Sequence, residues 1–340
     1  MKIAHTVENG LGGMSAAARL EALWERKLGH DARLVFREDN GLGNREGVPI
    51  ADFEFVKHCD VIVSHSTLAM NEQELGIPFV LMCHGSPDYC YYIQHVAGNR
   101  TFTMQSTLAG HKNCAFVVVH WERHIPYWKQ IMPGERIRYI PTSVDLDAFA
   151  PQEPNPAVLC GMGGKINVLS AGRWRMGCTP FSVVCAFGLF ADRHPGAKLH
   201  LLGTSNFVGI SEFLESMRLR NILGLIGVNS DDIPSLYAAC DFSITSHWDA
   251  GLTPRESMAC GCPVVGDIGL GCTPYMADQH DLVAFADEMD RVYSDIQNEG
   301  KSVISERTRA SAVEQFHPKA AAERMIALMQ SIRPVGGGAK

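Results

Sequence analysis

His247-Trp248-Asp249-Ala250-Gly251-Leu252-Thr253-Pro254-Arg255-Glu256 runs directly into Ser257-Met258-Ala259-Cys260-Gly261-Cys262-Pro263-Val264-Val265, and the reading of this stretch decides the fold. Thr253, Pro254 and Glu256 have the spacing of a capping box: threonine at the cap, proline at the first helical position, glutamate reaching back from the third. A short helix over PRESMACG follows, and PVVGD after it reads as a strand. The run DFSITSH just upstream reads as another strand, so the whole is a strand, a glycine turn, a helix and a strand, one unit of a parallel sheet. Asp249 and Glu256, seven positions apart, flank the start of that helix, where free backbone amides attract phosphate.

The same alternation extends in both directions. Toward the C-terminal side of a proline-rich stretch, INVLSAG, AKLHLLG and ILGLIG read as strands, with helices over PFSVVCAFGLFADRH, near EFLESMRLR and over IPSLYAAC. Toward the N-terminus, KIAHTV, ARLVF, CDVIVSHS, PFVLMCHG and AFVVVH read as strands. A first helix over Ser15 to Leu28 is expected to bury Ala17, Leu20, Trp24 and Leu28 and to stop at Gly29. Between the two series, RYIPTSVDLDAFAPQEPNPAV breaks the pattern and is expected to be the linker. A last helical stretch runs from about Ser305 to Met329. The expected fold class is α/β: two Rossmann-like, doubly wound parallel-sheet domains facing each other across a cleft that takes ligand at the carboxyl ends of the strands. The expected domains are 1–145, 146–310, and a C-terminal helix with a frayed tail over 311–340 that packs back on the first domain.

Composition agrees with a globular chain of about two domains. It has 340 residues, 46% hydrophobic and 20% charged, and about 150 residues make one domain. The net charge of -7 disfavours a chain that wraps nucleic acid or coats an anionic membrane. No signal peptide and no run of 18 apolar residues is visible, so the expected location is the cytoplasm. The 11 cysteines are irregularly spaced and form no C-x-x-C pair; they read as buried reduced thiols, with neither a structural zinc site nor redox chemistry expected.

The sequence D-A-G-L-T-P-R-E-S-M-A-C-G-C-P-V-V resembles the signature E-G-F-G-L-x-x-x-E-A-M-A-C-G-x-P-V-V of the GT-B glycosyltransferases of retaining family 4 (glycosyl transferases group 1). Weaker echoes occur in that family's order: G-L-G-G after the first strand, a strand ending in His-Gly, I-P-T-S-V-D-L-D-A-F in the linker, S-A-G-R opening the second domain, and ILGLIGVNSDDIPSLYAACDFSITSH. They cover nearly the whole chain.

The resemblance implies a nucleotide-sugar donor, UDP- or GDP-linked, that is a substrate and not a cofactor. Glu256 would accept hydrogen bonds from the ribose hydroxyls, a role that can coexist with capping. Arg173 would pair with the diphosphate, joined by backbone amides of Gly251 and Leu252, while Ile226 and Gly227 would border the base. Asp249 is either a contact to sugar hydroxyls or a turn-capping aspartate; it sits one residue closer to the glycine than the family's acid and is shorter. Arg175 either serves the diphosphate, in place of the family's lysine, or is a surface arginine. Gly12 and Gly13 let the backbone approach a phosphate or sugar closely. His84 would meet the transferred sugar, or stabilise positive charge at its anomeric carbon, against the plain reading of a surface or core histidine; His65 is a weaker candidate. Asp88, Tyr89, Tyr91 and Tyr92 either line an acceptor site or form a partly buried aromatic loop.

The resemblance implies retaining transfer by front-face attack, with no metal bound, helix N-termini and arginines neutralising the leaving diphosphate. The acceptor is open: a glycan, a small molecule, a lipid or a modified nucleic-acid base. So are the alternatives of a nucleotide-sugar 2-epimerase, a phosphorylase or a non-catalytic nucleotide-sugar-binding protein. A nicotinamide fold is disfavoured, since G-L-G-G-M-S is not G-x-G-x-x-G and Glu38 follows the second strand only after Arg37. The first helix mixes Arg19, Arg26 and Lys27 with Glu21 and Glu25, so strong membrane docking is not expected.

Overall fold

The computed structural model describes residues 1–8, 12–36, 47–65, 74–85, 90–91, 95, 101–156, 158, 162–171, 181–202, 212, 215, 221–225, 228, 230–245 and 251–332. These residues fall into two compact units. Unit 1 comprises Met1–Val144 together with Phe316–Lys340, and unit 2 is Asp145–Gln315.

Unit 1 holds β1 (Lys2–Val7), β2 (Asp31–Phe36), β3 (Val61–Ser64), β4 (Phe79–Cys83), β5 (Cys114–Val119) and β6 (Ile137–Tyr139). They pair in parallel in the order β2-β1-β3-β4-β5-β6. Unit 2 holds β7 (Ile166–Ser170), β8 (Ala197–Leu202), β9 (Ile222–Leu225), β10 (Phe242–Ile244), β11 (Val264–Asp267) and β12 (Tyr275–Ala277). Their order is β12-β11-β10-β7-β8-β9, again parallel. The described α-helices are α1 (Gly13–Lys27), α2 (Phe53–Val56), α3 (Thr101–Gly110), α4 (Ile125–Trp128), α5 (Phe181–Arg193), α6 (Ile233–Ala239), α7 (Leu252–Ala259), α8 (Leu282–Glu299), α9 (Lys301–Phe316) and α10 (Pro318–Gln330). Both sheets are doubly wound, and the winding reverses between β1 and β3 in one and between β7 and β10 in the other. Such a reversal opens a crevice at the carboxyl ends of the two strands.

A parallel sheet covered on both faces needs strands that are apolar throughout. In β4 every residue of Phe-Val-Leu-Met-Cys is buried. The two-residue period then sorts neighbours onto opposite faces. Ile3, Val63, Val80 and Val118 pack with Ala18 and Ala22 of α1 and with Met325, Ile326 and Met329 of α10. Ala4, Ile62, Phe79, Leu81, Val117 and Val119 face the other way, against Trp128 of α4. In unit 2, Val168, Leu199, Phe242 and Val265 pack with Phe187 and Phe190 of α5 and Phe285, Met289 and Val292 of α8. On the opposite face lie Leu169, Leu236, Tyr237, Cys260 and Cys262. Arg309 of α9 ties this unit together by donating to the carbonyls of Phe149 (2.6 Å), Ala259 (2.5 Å) and Leu146 (2.9 Å).

Four expectations are corrected. The stretch read as pure linker begins inside β6, because Arg138 and Tyr139 pair beside Val118 and Val119 of β5. The last helical stretch is two helices: Pro318 cannot continue α9, and His317 caps α10 by accepting from the Lys319 amide at 3.2 Å. Along α1 the buried positions are Ser15, Ala17, Ala18, Glu21, Ala22 and Glu25, while Leu20 and Trp24 are only partly buried. The turn before β2 does use glycine, with Gly29 at φ 90° just past the helix. Finally, Thr253 is not a cap: it lies inside α7, whose N-cap is Gly251 with no side-chain capping bond. Among the described residues the cysteines are free thiols, all buried except Cys185, and no helix is long and apolar enough to cross a membrane.

Candidate functional site

In unit 2 the features gather at the carboxyl end of β10, next to the reversal. Here α7 starts at Leu252 from an extended Gly251 (φ -60°, ψ 174°). A helix leaves its first amides without intrahelical acceptors, and Pro254 at the third position removes one of them. The Leu252 and Thr253 amides therefore remain as donors at the positive end of the helix dipole. The helix is held against its sheet by small polar contacts. Ser257 Oγ lies 2.7 Å from Ser243 Oγ of β10 and donates to the Cys262 carbonyl at 3.0 Å, while Tyr237 Oη of α6 donates to the Thr253 carbonyl at 3.1 Å. A Cβ at Gly266 of β11 would sit 2.6 Å from Leu270 Cδ2 and 3.2 Å from Thr245 Cγ2, so a larger residue there would have to displace those side chains.

Glu256 is the fifth residue of α7, too far along to reach back to the cap. It is partly exposed, and burial of the carboxyl pushes its pKa up from 4.5 to about 7. Such a group gains from any ligand that brings hydroxyl donors to it, since two oxygens with about four lone pairs are being desolvated.

In unit 1 a row of histidines crosses the carboxyl edge of the sheet. His65, His84 and His120 each occupy the position directly after a strand, those strands being the neighbours β3, β4 and β5, and His5 lies on β1 beside them. His5 Nε2 donates to Glu25 Oε2 at 2.7 Å, and His5 Nδ1 lies 3.0 Å from His65 Nε2. His65 Nδ1 lies 2.9 Å from His84 Nε2. The His84 and His120 rings are 4.9 Å apart, and His120 Nδ1 donates to the Ile140 carbonyl at 2.8 Å. Glu21, one helical turn before Glu25 on α1, brings Oε2 to 3.6 Å from His65 Nε2. A pocket in this unit is lined by Glu21, His84, His120, Met82 and the segment 140–143.

Charge in this cluster is held away from water. Burial, the largest influence on Glu21, pushes its pKa from 4.5 to about 8, with His5 opposing and Glu25 adding. Burial also works to lower the His5 pKa, but Glu25 outweighs it and the net direction is up. His65 is held well below its ordinary value, by burial first and then by the neighbouring histidines His84, His5 and His120. Ligand atoms of His5, Glu21 and His65 all lie within 4.8 Å of one another, the one such group among the described residues.

Of the sequence-predicted residues, Gly251, Leu252 and Glu256 come together on α7, and His84 joins the histidine row. Gly12 is the N-cap of α1 at φ 85°, a left-handed conformation that suits glycine, and Gly13 is the first residue of that helix. Tyr91 is exposed at 50%, with His95 edge-on at 4.3 Å. Asp88, Tyr89, Tyr92, Arg173, Arg175, Ile226, Gly227 and Asp249 lie outside the described residues. Sequence reasoning missed His5, Glu21, Glu25 and His120. The signal for one of them was present, since VIVSH, VLMCH and FVVVH end three apolar strands in the same residue. Glu21 and Glu25 gave none, because charge on a helix ordinarily marks the solvent side.

No protein-family model and no curated protein matches the chain. Solved structures do. Anabaena HepE in complex with UDP and glucose is similar over 98% of this chain and 100% of its own, at TM-score 0.77 and 15% identity. Sucrose-phosphate synthase from Thermosynechococcus elongatus is similar over 97% of this chain and 98% of its own, at TM-score 0.76 and 16% identity. WaaG, a glycosyltransferase of lipopolysaccharide biosynthesis, is similar over 97% of this chain and 100% of its own at 0.71 and 14%. These likenesses show the fold, which is that of the GT-B glycosyltransferases.

Proposed function

We propose that this GT-B chain transfers a sugar, with retention, from a nucleotide diphosphate to an acceptor hydroxyl. The observation that carries the reading is Glu256, a desolvated carboxyl one turn into a helix that begins on the switch edge of the second sheet. An anionic diphosphate suits the Leu252 and Thr253 amides, and a ribose diol supplies the two donors that the carboxylate lacks. UDP is favoured over GDP as the carrier, because HepE is crystallised with UDP and with UDP-glucose.

Arg173 and Arg175 would balance the diphosphate without a metal, and Ile226 and Gly227 would border the base. Gly12 and Gly13 would bring backbone against phosphate or sugar. His84 and Asp249 would hold the transferred sugar, with Asp88, Tyr89 and Tyr91 on the acceptor side. In the transfer the bond from the anomeric carbon to the phosphate oxygen breaks as the acceptor oxygen bonds to the same face of that carbon. The departing phosphate oxygen takes the acceptor's proton. We place the reaction in the cytoplasm.

The test is a thermal-shift panel of UDP-, GDP-, ADP- and TDP-sugars on the wild type and Glu256→Ala. A rise in midpoint with one nucleotide family, lost in the variant, supports the assignment. No response of the wild type to any donor overturns it, and an equal response of the variant removes Glu256 from the site.

A further inference from the structure

We propose that His5 Nδ1, His65 Nε2 and the Glu21 carboxylate bind one divalent transition-metal ion of the Zn2+ class at the carboxyl edge of the first sheet. This site adjoins His84, which the sugar-transfer reading also uses, but it does not depend on that reading.

Geometry is the first argument. A tetrahedral ion with bonds of about 2.0–2.1 Å separates its ligand atoms by about 3.4 Å. His5 Nδ1 and His65 Nε2 are 3.0 Å apart, and His65 Nε2 and Glu21 Oε2 are 3.6 Å apart, so the two edges bracket that value. The second argument lies behind the ligands. A metal-bound histidine nearly always donates its other nitrogen to an acceptor that fixes its tautomer and orientation. His5 Nε2 donates to Glu25 at 2.7 Å, and His65 Nδ1 has His84 Nε2 at 2.9 Å to receive its proton. With an ion in place, both histidines are neutral ligands and every ring proton has an acceptor.

Charge is the third argument. Glu25 is fully buried and Glu21 is 9% exposed, and Glu25 Oε1 has no hydrogen-bond partner among the described residues. Ligation requires both carboxylates ionised and both imidazoles neutral, which puts two negative charges into a medium that tolerates none unpaired. A divalent ion brings the sum to zero. The donor set then selects the class: two imidazoles and one carboxylate suit Zn2+, Co2+ or Fe2+, whereas Ca2+ and Mg2+ ask for oxygen throughout. Three protein ligands leave one position for water, and Glu21 also lines the pocket, which gives an entry path. Positions 5, 21 and 65 form no short motif, and the fold alone brings them together.

The test uses the full chain, stripped with EDTA and titrated with ZnCl2 and, separately, CoCl2. We expect one equivalent of metal per chain, visible Co2+ absorption of a low-coordinate nitrogen and oxygen site, and a rise in melting midpoint with Zn2+. Glu21→Gln and His65→Gln should each lose the equivalent, Glu25→Gln should weaken it 10- to 100-fold, and exposed His58→Gln should retain it. Should a ligand variant fail to fold, as read by circular dichroism, the wild-type Co2+ spectrum decides alone. Less than a tenth of an equivalent in the wild type, or equal binding in both ligand variants, overturns the proposal; the His5–His65 contact is then a direct hydrogen bond.

Discussion

Replacing Glu256 with glutamine should change how stability responds to pH, by an amount that can be worked out in advance. The carboxyl titrates at 4.5 in an ordinary setting and at about 7 in the fold. Between those values the folded chain keeps a proton that the unfolded chain has lost, so stability falls as pH rises through that window. The full interval corresponds to about 0.8 kcal/mol lost at pH 5, about 2 at pH 6 and about 3 by pH 8. Because part of the residue still meets water, we take a total of about 2 kcal/mol as the expected span. Glu256→Gln has no such proton to keep. The difference in stability, variant minus wild type, should therefore climb by about 2 kcal/mol in favour of glutamine from pH 4.5 to pH 7.5. Urea unfolding of both proteins, followed by pulsed hydrogen exchange in peptides spanning 252–267, reads unit 2 by itself. All other titrating groups are common to the pair and cancel. A difference that stays constant within about 0.5 kcal/mol across that range would refute the desolvated carboxyl.

The same proton should compete with a ribose. Donor affinity measured by calorimetry should fall about tenfold from pH 8 to pH 6 in the wild type, and Glu256→Gln should bind weakly with no such dependence. His84→Gln should lower the rate of transfer about a hundredfold while leaving donor affinity in the thermal-shift assay within twofold, as fits a group that meets the sugar and not the nucleotide; a normal rate would return His84 to the plain core reading. Arg309→Met should cost unit 2 about 2–4 kcal/mol, since the carbonyls of Leu146, Phe149 and Ala259 lose a charged donor, and an unchanged urea midpoint would show that solvent replaces it.

Much of the fold was legible because parallel strands buried on both faces announce themselves as apolar runs. KIAHTV is β1 residue for residue, and INVLS, AKLHLL, FSI and VVGD carry β7, β8, β10 and β11. Short edge elements were harder: β6 and β12 have three residues each and are not buried throughout, whereas the equally short β10 lies inside its sheet with every residue buried. The break at Pro318 was readable from proline alone but was masked by the helical pattern on both sides. The capping reading of Thr253 failed for a physical reason. Gly251 can adopt the extended turn into the helix without help from a side chain, so the helix starts two residues earlier and carries Glu256 past the cap. The histidine cluster was mostly illegible, because burying Glu21 and Glu25 is favourable only once His5 and His65 face them. His5 and His65 lie 60 residues apart in sequence, and Glu25 lies 20 residues from His5 on α1.

The chain leaves unit 1 after Val144 and re-enters it at Phe316, where the Val144 amide donates to the Phe316 carbonyl at 3.2 Å. Unit 1 is therefore completed by residues that follow the whole of unit 2. Met325, Ile326 and Met329 reach its core only after all of Asp145–Gln315 has been synthesised. Domains usually mature in the order in which the ribosome delivers them; here the order is inverted, and the body encoded second is the first able to finish. A nascent chain cut short anywhere before residue 316 leaves Ala18, Ala22 and Val80 without their covering helix, whereas a fragment spanning 145–315 lacks no segment of its own unit.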